Sequence, residues 1–151
     1  MFRGNNEINM DAKGRMAIPA RYRDELASMC EGHLVVTIDT QERCLLIYPL
    51  PKWEEVEEQV AALPSLNPAS RRFQRLLIGH ARELELDGSG RILIPPELRK
   101  HAQMDKKVML VGQRHRFELW SGELWEAKCE DMLADSADEL AMSDEMLTLS
   151  L

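Results

Sequence analysis

The apolar positions of this chain follow two spacings, and each spacing occurs in both halves. Runs of alternating or β-branched apolar residues predict strands in the first half at HLVVTID and CLLIYP, and in the second half at KVMLVGQ and RFELW. The helical spacing of Tyr22, Leu26 and Met29 predicts one helix, and further amphipathic helices begin near Trp53 and Trp125. This mixture of strands and short helices predicts an α+β fold.

A short segment between the first strand and the first helix is nearly the same in both halves. The chain reads DAKGRMAIPARYR at 11–23 and DGSGRILIPPELR at 87–99. Aspartate at the first position and glycine at the fourth favour a type I turn, with the glycine in the left-handed conformation. Such a turn typically joins two antiparallel strands, so the segment predicts a β-hairpin with an exposed tip. Structural roles in these turns are therefore predicted for Asp11, Gly14, Asp87 and Gly90.

The correspondence extends beyond the turn and indicates an internal duplication. Six identical residues recur 76 positions later, and Trp53 corresponds to Trp125 at a slightly shorter separation. The identical pairs are Asp11 and Asp87, Gly14 and Gly90, Arg15 and Arg91, Ile18 and Ile94, Pro19 and Pro95, and Arg23 and Arg99. A unit of about 45 residues forms only a small core, so we expect the two copies to interleave their hairpins around one shared core.

Breaks in the pattern divide the chain into four segments. The first copy covers residues 1–63 and the second copy covers residues 83–133. Between them, residues 64–82 begin with the helix-breaking sequence PSLNP and continue as an amphipathic connecting helix with a basic outer face, for which simple solvation is the plainest interpretation. Residues 134–151 are acidic and serine-rich with scattered leucines, which predicts a weakly ordered tail or a short helix.

The charge is distributed unevenly along the chain. The formal net charge is −7, but Glu123–Leu151 contains nine acidic residues and one basic residue, so the preceding part is nearly balanced. Met1–Arg23 alone contains five basic residues and two acidic ones. Because salt screens exposed charges beyond a Debye length of about 10 Å, local basic regions matter more than the total charge. This distribution is compatible with nucleic-acid binding and also with an ordinary protein surface.

The residue types argue against several other classes of function. The three cysteines and four histidines are scattered without ligand spacing, so we expect no disulfide framework, no metal site and no cofactor. The sequence contains neither a Ser/His/Asp grouping nor a phosphate-binding glycine loop, so we do not expect an enzyme. The longest apolar runs are too short to span a membrane, and the first residues contain no apolar signal segment, so we expect a cytoplasmic protein.

Arg15 and Arg91 directly follow the turn glycines, and this position has two interpretations. A two-stranded β-ribbon fits the major groove of DNA, where arginine is the most common specific reader of guanine, and arginine also binds phosphate. Alternatively, each arginine forms a salt bridge with the aspartate of its own turn, which contributes little stability when exposed. The residue types alone leave both interpretations open.

Two further basic residues are candidate DNA contacts. Lys13 lies within the first turn, where it contacts phosphate if the turn meets DNA and is otherwise a solvated lysine. Arg3 belongs to the first few residues, which we expect to be flexible, and it either reaches a groove or remains solvated. The second turn has Ser89 in place of Lys13, so equal contact of the two hairpins with DNA does not follow from the duplication.

The pattern MFRG, NMDAKGRMAIPARYR, LIYPLPKWEE, LELDGSGRILIPPELR and FELW resembles the MraZ family of bacterial transcriptional regulators over nearly the whole chain. That family is characterised by two SpoVT-AbrB repeats, each with an Asp-x-x-x-Arg signature, which is matched here by Asp11/Arg15 and Asp87/Arg91. The resemblance implies a duplicated swapped-hairpin, pseudo-symmetric β-barrel with short flanking helices. It also implies self-association into a ring-shaped homo-oligomer, an octamer or a dodecamer.

The same resemblance implies a function. A protein of this family is expected to bind short direct repeats in double-stranded promoter DNA at the nucleoid, and to repress the division and cell-wall gene cluster, including its own gene. With this resemblance, the candidate DNA-binding residues are Arg15, Lys13, Arg91 and Arg3.

An antitoxin-like protein-interaction module is the alternative. Related swapped-hairpin proteins serve as antitoxins that hold a toxin with an acidic, poorly ordered tail, and residues 134–151 have that composition. The complete second copy argues against this alternative, because those antitoxins resemble a single copy.

Overall fold

The computed structural model describes residues 1–134 and 142–151, within which eight strands and six helices occur. The first copy contains β1 (Phe2–Asn9), β2 (Arg15–Ala17), α1 (Ala20–Cys30), β3 (His33–Ile38), β4 (Leu45–Pro49) and α2 (Leu50–Ala61). After α3 (Pro68–Leu77), the second copy contains β5 (Arg82–Glu85), β6 (Arg91–Leu93), α4 (Pro96–His101), β7 (Lys107–Arg114), β8 (Phe117–Ser121) and α5 (Gly122–Ala134). Helix α6 (Asp144–Leu147) lies in the predicted acidic tail, of which residues 135–141 are outside the described residues.

Proline and asparagine residues set where several of these helices begin. Pro19 and Pro95 precede α1 and α4 with φ values of −52° and −58°, and each separates a short strand from a helix because proline has no amide to donate. Helix α3 begins after Asn67, whose side-chain oxygen accepts a hydrogen bond from the backbone N–H of Ala69 at 2.9 Å. The start of the connecting helix is therefore confirmed at the position that the sequence indicates.

The strands form a six-stranded antiparallel sheet and a separate two-stranded ribbon. The sheet order is β1-β7-β8-β4-β3-β5, and the ribbon consists of β2 and β6. Strand β1 of the first copy pairs with β7 of the second copy, from Phe2 opposite Arg114 to Asn9 opposite Lys107. Strand β5 of the second copy pairs in turn with β3 of the first copy. Each copy thus donates its first strand to the half of the sheet that the other copy builds.

The expectation that the two strands flanking each turn pair with one another is wrong. The two strands flanking each turn share only the hydrogen bonds that close the turn. Strand β2 pairs instead with β6 across the two copies, with Met16 opposite Ile92 at the centre. The physical reason is burial, since this cross-pairing places Met16 and Ile92, both about 1% exposed, in the core while their backbone groups remain hydrogen-bonded. The strands on either side of each turn therefore do not form a hairpin with one another. Both of them pair with strands of the other copy.

The sheet remains open at β1 and β5 in the part of the chain that the structure describes. The closed barrel implied by the family resemblance is therefore not formed there, because no further strand joins these two edges. The mixed α+β class is confirmed by the antiparallel sheet and its flanking helices.

One face of the sheet, the ribbon and helices α1 and α4 enclose the largest core cluster. Because side chains alternate along a strand, every second residue of β3, β4, β7 and β8 points into this cluster. Its fully buried members come from both copies, among them Phe2, Met16, Ile18, Leu26, Leu34, Leu45, Ile47, Ile92, Ile94, Leu98, Leu110 and Phe117. The predicted sharing of one core between the copies is confirmed.

The opposite face of the sheet is covered by α2, α3 and α5. Trp53 of α2 packs against Tyr48 with a ring-centroid distance of 5.6 Å, and α3 joins this cluster through Leu77. In the second copy, Trp125 of α5 packs against Trp120 at 5.7 Å. Helix α3 and the β2–β6 ribbon therefore lie on opposite faces of the sheet.

The exchange of strands predicts that one copy does not fold alone as a monomer. A fragment of residues 1–81 lacks the partners of β1 and β2, so we expect it to be unfolded or to pair with a second identical fragment. Circular dichroism and analytical ultracentrifugation of this fragment, alone and mixed with residues 82–151, measure the effect. The mixture is expected to regain the native spectrum as a one-to-one complex, and a folded monomeric 1–81 fragment would contradict the prediction.

Candidate nucleic-acid interface

The two signature arginines lie on the same outward face of the β2–β6 ribbon. Strand pairing places Arg15 opposite Leu93 and Arg91 opposite Ala17. Directly opposed residues share a face of a ribbon, and the intervening pair is buried, so all four of these residues are on the outer face. Arg15 and Arg91 are diagonal neighbours, a relation in which side chains are separated by about 7–8 Å. A single face of the ribbon therefore carries both arginines.

Asp11 organises the first turn. Its Oδ1 accepts hydrogen bonds from the backbone N–H groups of Lys13 and Arg15 at 3.0 and 2.9 Å, and its Oδ2 accepts one from Arg15 Nε at 2.8 Å. The N–H of Gly14 donates to the Asp11 carbonyl at 3.0 Å and closes the turn. The backbone N–H of Arg15 is the main cause that lowers the pKa of Asp11 to about 2, and the Arg15 side chain adds to it.

Asp87 repeats this arrangement in the second turn. Its Oδ1 accepts from the backbone N–H groups of Ser89 and Arg91 at 2.8 and 2.9 Å, and its Oδ2 accepts from Arg91 Nε at 3.1 Å. The backbone N–H of Arg91 is again the main cause that lowers the pKa of this carboxyl. The two turns are therefore built by the same set of bonds, although their second and third residues differ.

The aspartates hold only one edge of each guanidinium. Arg15 and Arg91 use Nε for the ion pair, and their side chains are 37% and 38% exposed. Among residues 1–134 and 142–151, no other group forms a hydrogen bond with either guanidinium. The terminal nitrogens of both side chains are thus left to donate to an external acceptor. The salt bridge and the DNA contact, which the sequence presents as alternatives, are compatible in this geometry.

A second pair of arginines packs over the turn glycines from the opposite copy. Gly14 has a φ of +93°, and a Cβ there would lie 2.6 Å from Arg99 Nε and 2.8 Å from the Ile94 carbonyl oxygen. Gly90 has a φ of +72°, and a Cβ there would overlap the Arg23 side chain. Arg99 Nε also donates to the Ile94 carbonyl at 3.0 Å. Each turn is therefore held between its own aspartate and an arginine of the other copy.

The sequence does not identify Arg23 and Arg99 as turn-packing residues, although both recur at the common spacing. The recurrence is a signal that they share a role, but the partner lies on the opposite copy and is set by the strand exchange. No pattern within one copy indicates that contact.

Lys13 and Arg3 occupy different surroundings. Lys13 is exposed in the first turn, beside the carboxylate of Asp11 that its backbone N–H contacts. Arg3 is also exposed, but it lies within β1 opposite Gln113, so the expectation of a flexible first segment is wrong. The neighbouring Phe2 ring stacks on Phe117 at a centroid distance of 4.2 Å, which fixes the beginning of the strand.

Two further features bear on other kinds of site. No three His, Cys, Asp or Glu side chains of the described residues are grouped so as to hold a metal ion. Within that same part of the chain, every helix is too short or too polar to cross a membrane.

The turn geometry predicts a strong contrast between two glycine substitutions. Gly14→Ala forces a positive φ on a residue with a Cβ and brings that Cβ against a backbone carbonyl, so we expect unfolding to require about 1–3 kcal/mol less. Gly88→Ala is the matched control, since no heavy atom lies within 4 Å of its Cβ position and the first turn has Ala12 there. Urea unfolding measures both, and an equal loss of stability in the two variants would contradict this account.

The hydrogen bonds of Asp11 predict its titration. A carboxyl-detected NMR titration is expected to show a midpoint near pH 2, below the ordinary value of 3.8. Because the pKa is lower in the folded state, this group stabilises the fold above pH 4, and its contribution declines as the pH falls towards 2. Arg15→Ala should leave the pKa of Asp11 below its usual value, since the backbone N–H remains. A return to 3.8 in that variant would show that the side chain dominates.

Comparison with known proteins places the chain in a family. The family model described as "MraZ protein, putative antitoxin-like" matches twice in succession, over residues 1–76 and 77–145. The protein named Transcriptional regulator MraZ from Saccharophagus degradans is 60% identical over 151 residues, which cover 100% of both chains. Its namesake from Alkalilimnicola ehrlichii is 56% identical over the same full length. The protein of that name from Coxiella burnetii is 60% identical over 146 residues, 97% of this chain and 94% of its own.

The two successive matches coincide with the two sets of signature residues, one around Asp11 and Arg15 and the other around Asp87 and Arg91. The relatives are matched over nearly their whole length, so the similarity includes the turns, the connecting helix and both halves of the sheet. The chain therefore belongs to the MraZ family, which is a family of transcriptional regulators and not of enzymes.

Proposed function

We propose that this protein is a sequence-specific DNA-binding transcriptional repressor that reads DNA with the outer face of the β2–β6 ribbon. The observation that carries the proposal is the placement of Arg15 and Arg91 on that face with their terminal nitrogens unbonded within the described residues. The remaining strand residues of the face, Ala17 and Leu93, are uncharged, and the nearby carboxylates of Asp11 and Asp87 are each paired with an arginine of the face. A two-stranded ribbon has the width that the major groove of B-DNA admits.

The residues divide into reading and positioning roles. Arg15 and Arg91 donate to base edges in the groove, with guanine O6 and N7 as the natural acceptors for an arginine fork. Lys13 contacts phosphate, which fixes the position of the ribbon without reading sequence, and Arg3 reaches a groove. Asp11 and Asp87 hold the arginines through Nε, so each guanidinium is oriented before DNA arrives. Such preorganisation lowers the entropy lost on binding.

Repression then follows from occupancy of a promoter. One ribbon makes few contacts, so a single chain binds weakly, whereas a ring-shaped homo-oligomer presents many ribbons to a series of boxes. Linked sites of this kind gain roughly 10²–10⁴-fold in avidity. The family membership supports short direct repeats upstream of the division and cell-wall gene cluster, including the protein's own gene, as the target. The protein acts in the cytoplasm, on DNA of the nucleoid.

An antitoxin-like interaction module is a second candidate. The family description includes the word antitoxin-like, and the C-terminal segment combines acidic residues with exposed leucines, of which Leu147 and Leu149 are 67% and 62% exposed. An exposed apolar segment of this kind suits a protein partner. Recovery of one stoichiometric protein partner by the full chain, together with no binding to promoter DNA, would favour this candidate over the repressor.

The test of the repressor proposal compares two arginine variants. Arg15→Ala removes a base contact, for which we expect a loss of about 1–3 kcal/mol, or roughly 5- to 150-fold in affinity for DNA from upstream of the gene. Arg71→Ala is the matched control, because it removes the same charge from the exposed surface of α3 on the opposite face of the sheet. Gel-shift titration at fixed salt measures both variants.

Stability must be compared in the same samples. The exposed ion pair of Arg15 with Asp11 contributes little to stability because solvent screens it, so both variants are expected to keep the wild-type circular dichroism spectrum. Unchanged affinity of Arg15→Ala, or an equal loss in Arg71→Ala, would remove the ribbon face from the DNA-binding site.

A further inference from the structure

The two turns have equivalent surroundings, which makes their side chains directly comparable. The backbone N–H of Met10 donates to the Lys106 carbonyl at 2.7 Å, and the N–H of Leu86 donates to the Gly32 carbonyl at 3.0 Å. In the same way, the N–H of Ile18 donates to Gly90 and that of Ile94 donates to Gly14, both at 2.9 Å. Each end of the ribbon is thus built from one turn and from the helix and following loop of the other copy.

The charges at these equivalent positions are opposite in balance. The first-turn end, defined by the first turn with α4 and its following loop, contains five basic and three acidic residues, namely Lys13, Arg15, Arg99, Lys100, Lys106, Asp11, Glu97 and Asp105. The second-turn end, defined by the second turn with α1 and its following loop, contains three basic and four acidic residues, namely Arg91, Arg21, Arg23, Asp87, Asp24, Glu25 and Glu31. Lys13 corresponds to Ser89, Lys100 to Asp24 and Lys106 to Gly32, so three lysines of the first-turn end have no basic counterpart at the second-turn end.

The lysines that make the difference are accessible, and two of them lie in or beside the turn. Lys13, Lys100 and Lys106 are exposed. Lys106 and Arg99 line one open depression together with Asp105 and with Asp11 and Ala12 of the turn. At the other end, the corresponding depression is lined by Asp24, Glu31 and Asp87 beside Arg23.

We propose that the first-turn end alone grips the DNA backbone, with Lys13, Lys100 and Lys106 binding phosphates while the second-turn end makes no phosphate contact. This inference rests on the proposed function and adds that the ribbon binds DNA in one orientation. Phosphates are drawn to an excess of basic side chains and repelled by the four carboxylates at the other end. Arg91 still faces the groove, because it lies on the outer face of the ribbon beside Arg15.

A difference between the two ends of the ribbon determines how the ribbon is oriented on DNA. A ribbon with two equal ends would lie equally well either way round on a box, and its preferred target would be a palindrome. A ribbon with one phosphate-gripping end has a single preferred orientation on each box. Successive chains then favour boxes that repeat head to tail, which is a target of direct repeats.

The test exchanges the charges of the two ends and measures the salt dependence of binding. Lys13→Ser combined with Lys106→Ser removes charge from the first-turn end, and Ser89→Lys adds charge at the position equivalent to Lys13. Affinity for a duplex from upstream of the gene is measured at salt concentrations on the order of 50 to 200 mM, a range in which phosphate contacts make affinity strongly dependent on salt. The double variant is expected to lower the slope of log K against log salt by about 0.9 for each lysine. Ser89→Lys is expected to leave the slope unchanged.

The outcomes separate this inference from the repressor proposal. If the wild-type protein fails to bind the duplex at any salt concentration, the proposed function fails. If the wild type binds but the double variant keeps the wild-type slope, the first-turn end does not grip phosphate and only the inference fails. A steeper slope for Ser89→Lys would show that the second-turn end reaches the backbone, which also overturns the inference.

Discussion

The backbone pairing of β2 with β6 is the constraint on which the rest of the structure depends. Four residues, Gly14, Ile18, Gly90 and Ile94, exchange hydrogen bonds across the two copies, and the buried pair Met16 and Ile92 lies between them. Each such bond contributes only about 1 kcal/mol net, but together they fix the position of both turns relative to the shared core. Because the pair is buried on one face, the other face must point outward, and this outward face is where the two signature arginines lie.

The proposed reading of DNA is a consequence of how rigidly this face is built. An arginine on a mobile loop loses rotamer freedom when it binds, whereas Arg15 and Arg91 are already held by a carboxylate through Nε. The carboxylates are in turn held by backbone N–H groups of the same turns, which also keep them ionised. Strand pairing therefore positions the turns, and the turn geometry in turn orients the arginine side chains.

Much of the local structure could be predicted from the sequence, and the way its parts pair could not. Alternating apolar residues located β3, β4, β7 and β8, and the Asp and Gly positions located both turns, because these features depend on neighbours along the chain. The pairing of β2 with β6 was missed, since a type I turn is equally compatible with a hairpin and with strands that separate after it. The packing of Arg99 over Gly14 was also missed, because it depends on that exchange. The order of Arg3 was missed because its strand partner, Gln113, is more than a hundred residues away.

The fusion of the two copies into one polypeptide has a consequence for how they can change. Contacts such as Arg99 over Gly14 tie the turn of one copy to the helix of the other, so substitutions at these joints must suit both halves at once. Positions outside these contacts, such as Lys13 and Ser89, do not have to suit both halves, and they differ between the two copies. Two identical chains meeting across a true twofold axis would be compelled to carry matching side chains at both ends. Covalent linkage releases the molecule from that symmetry and lets its two extremities specialise.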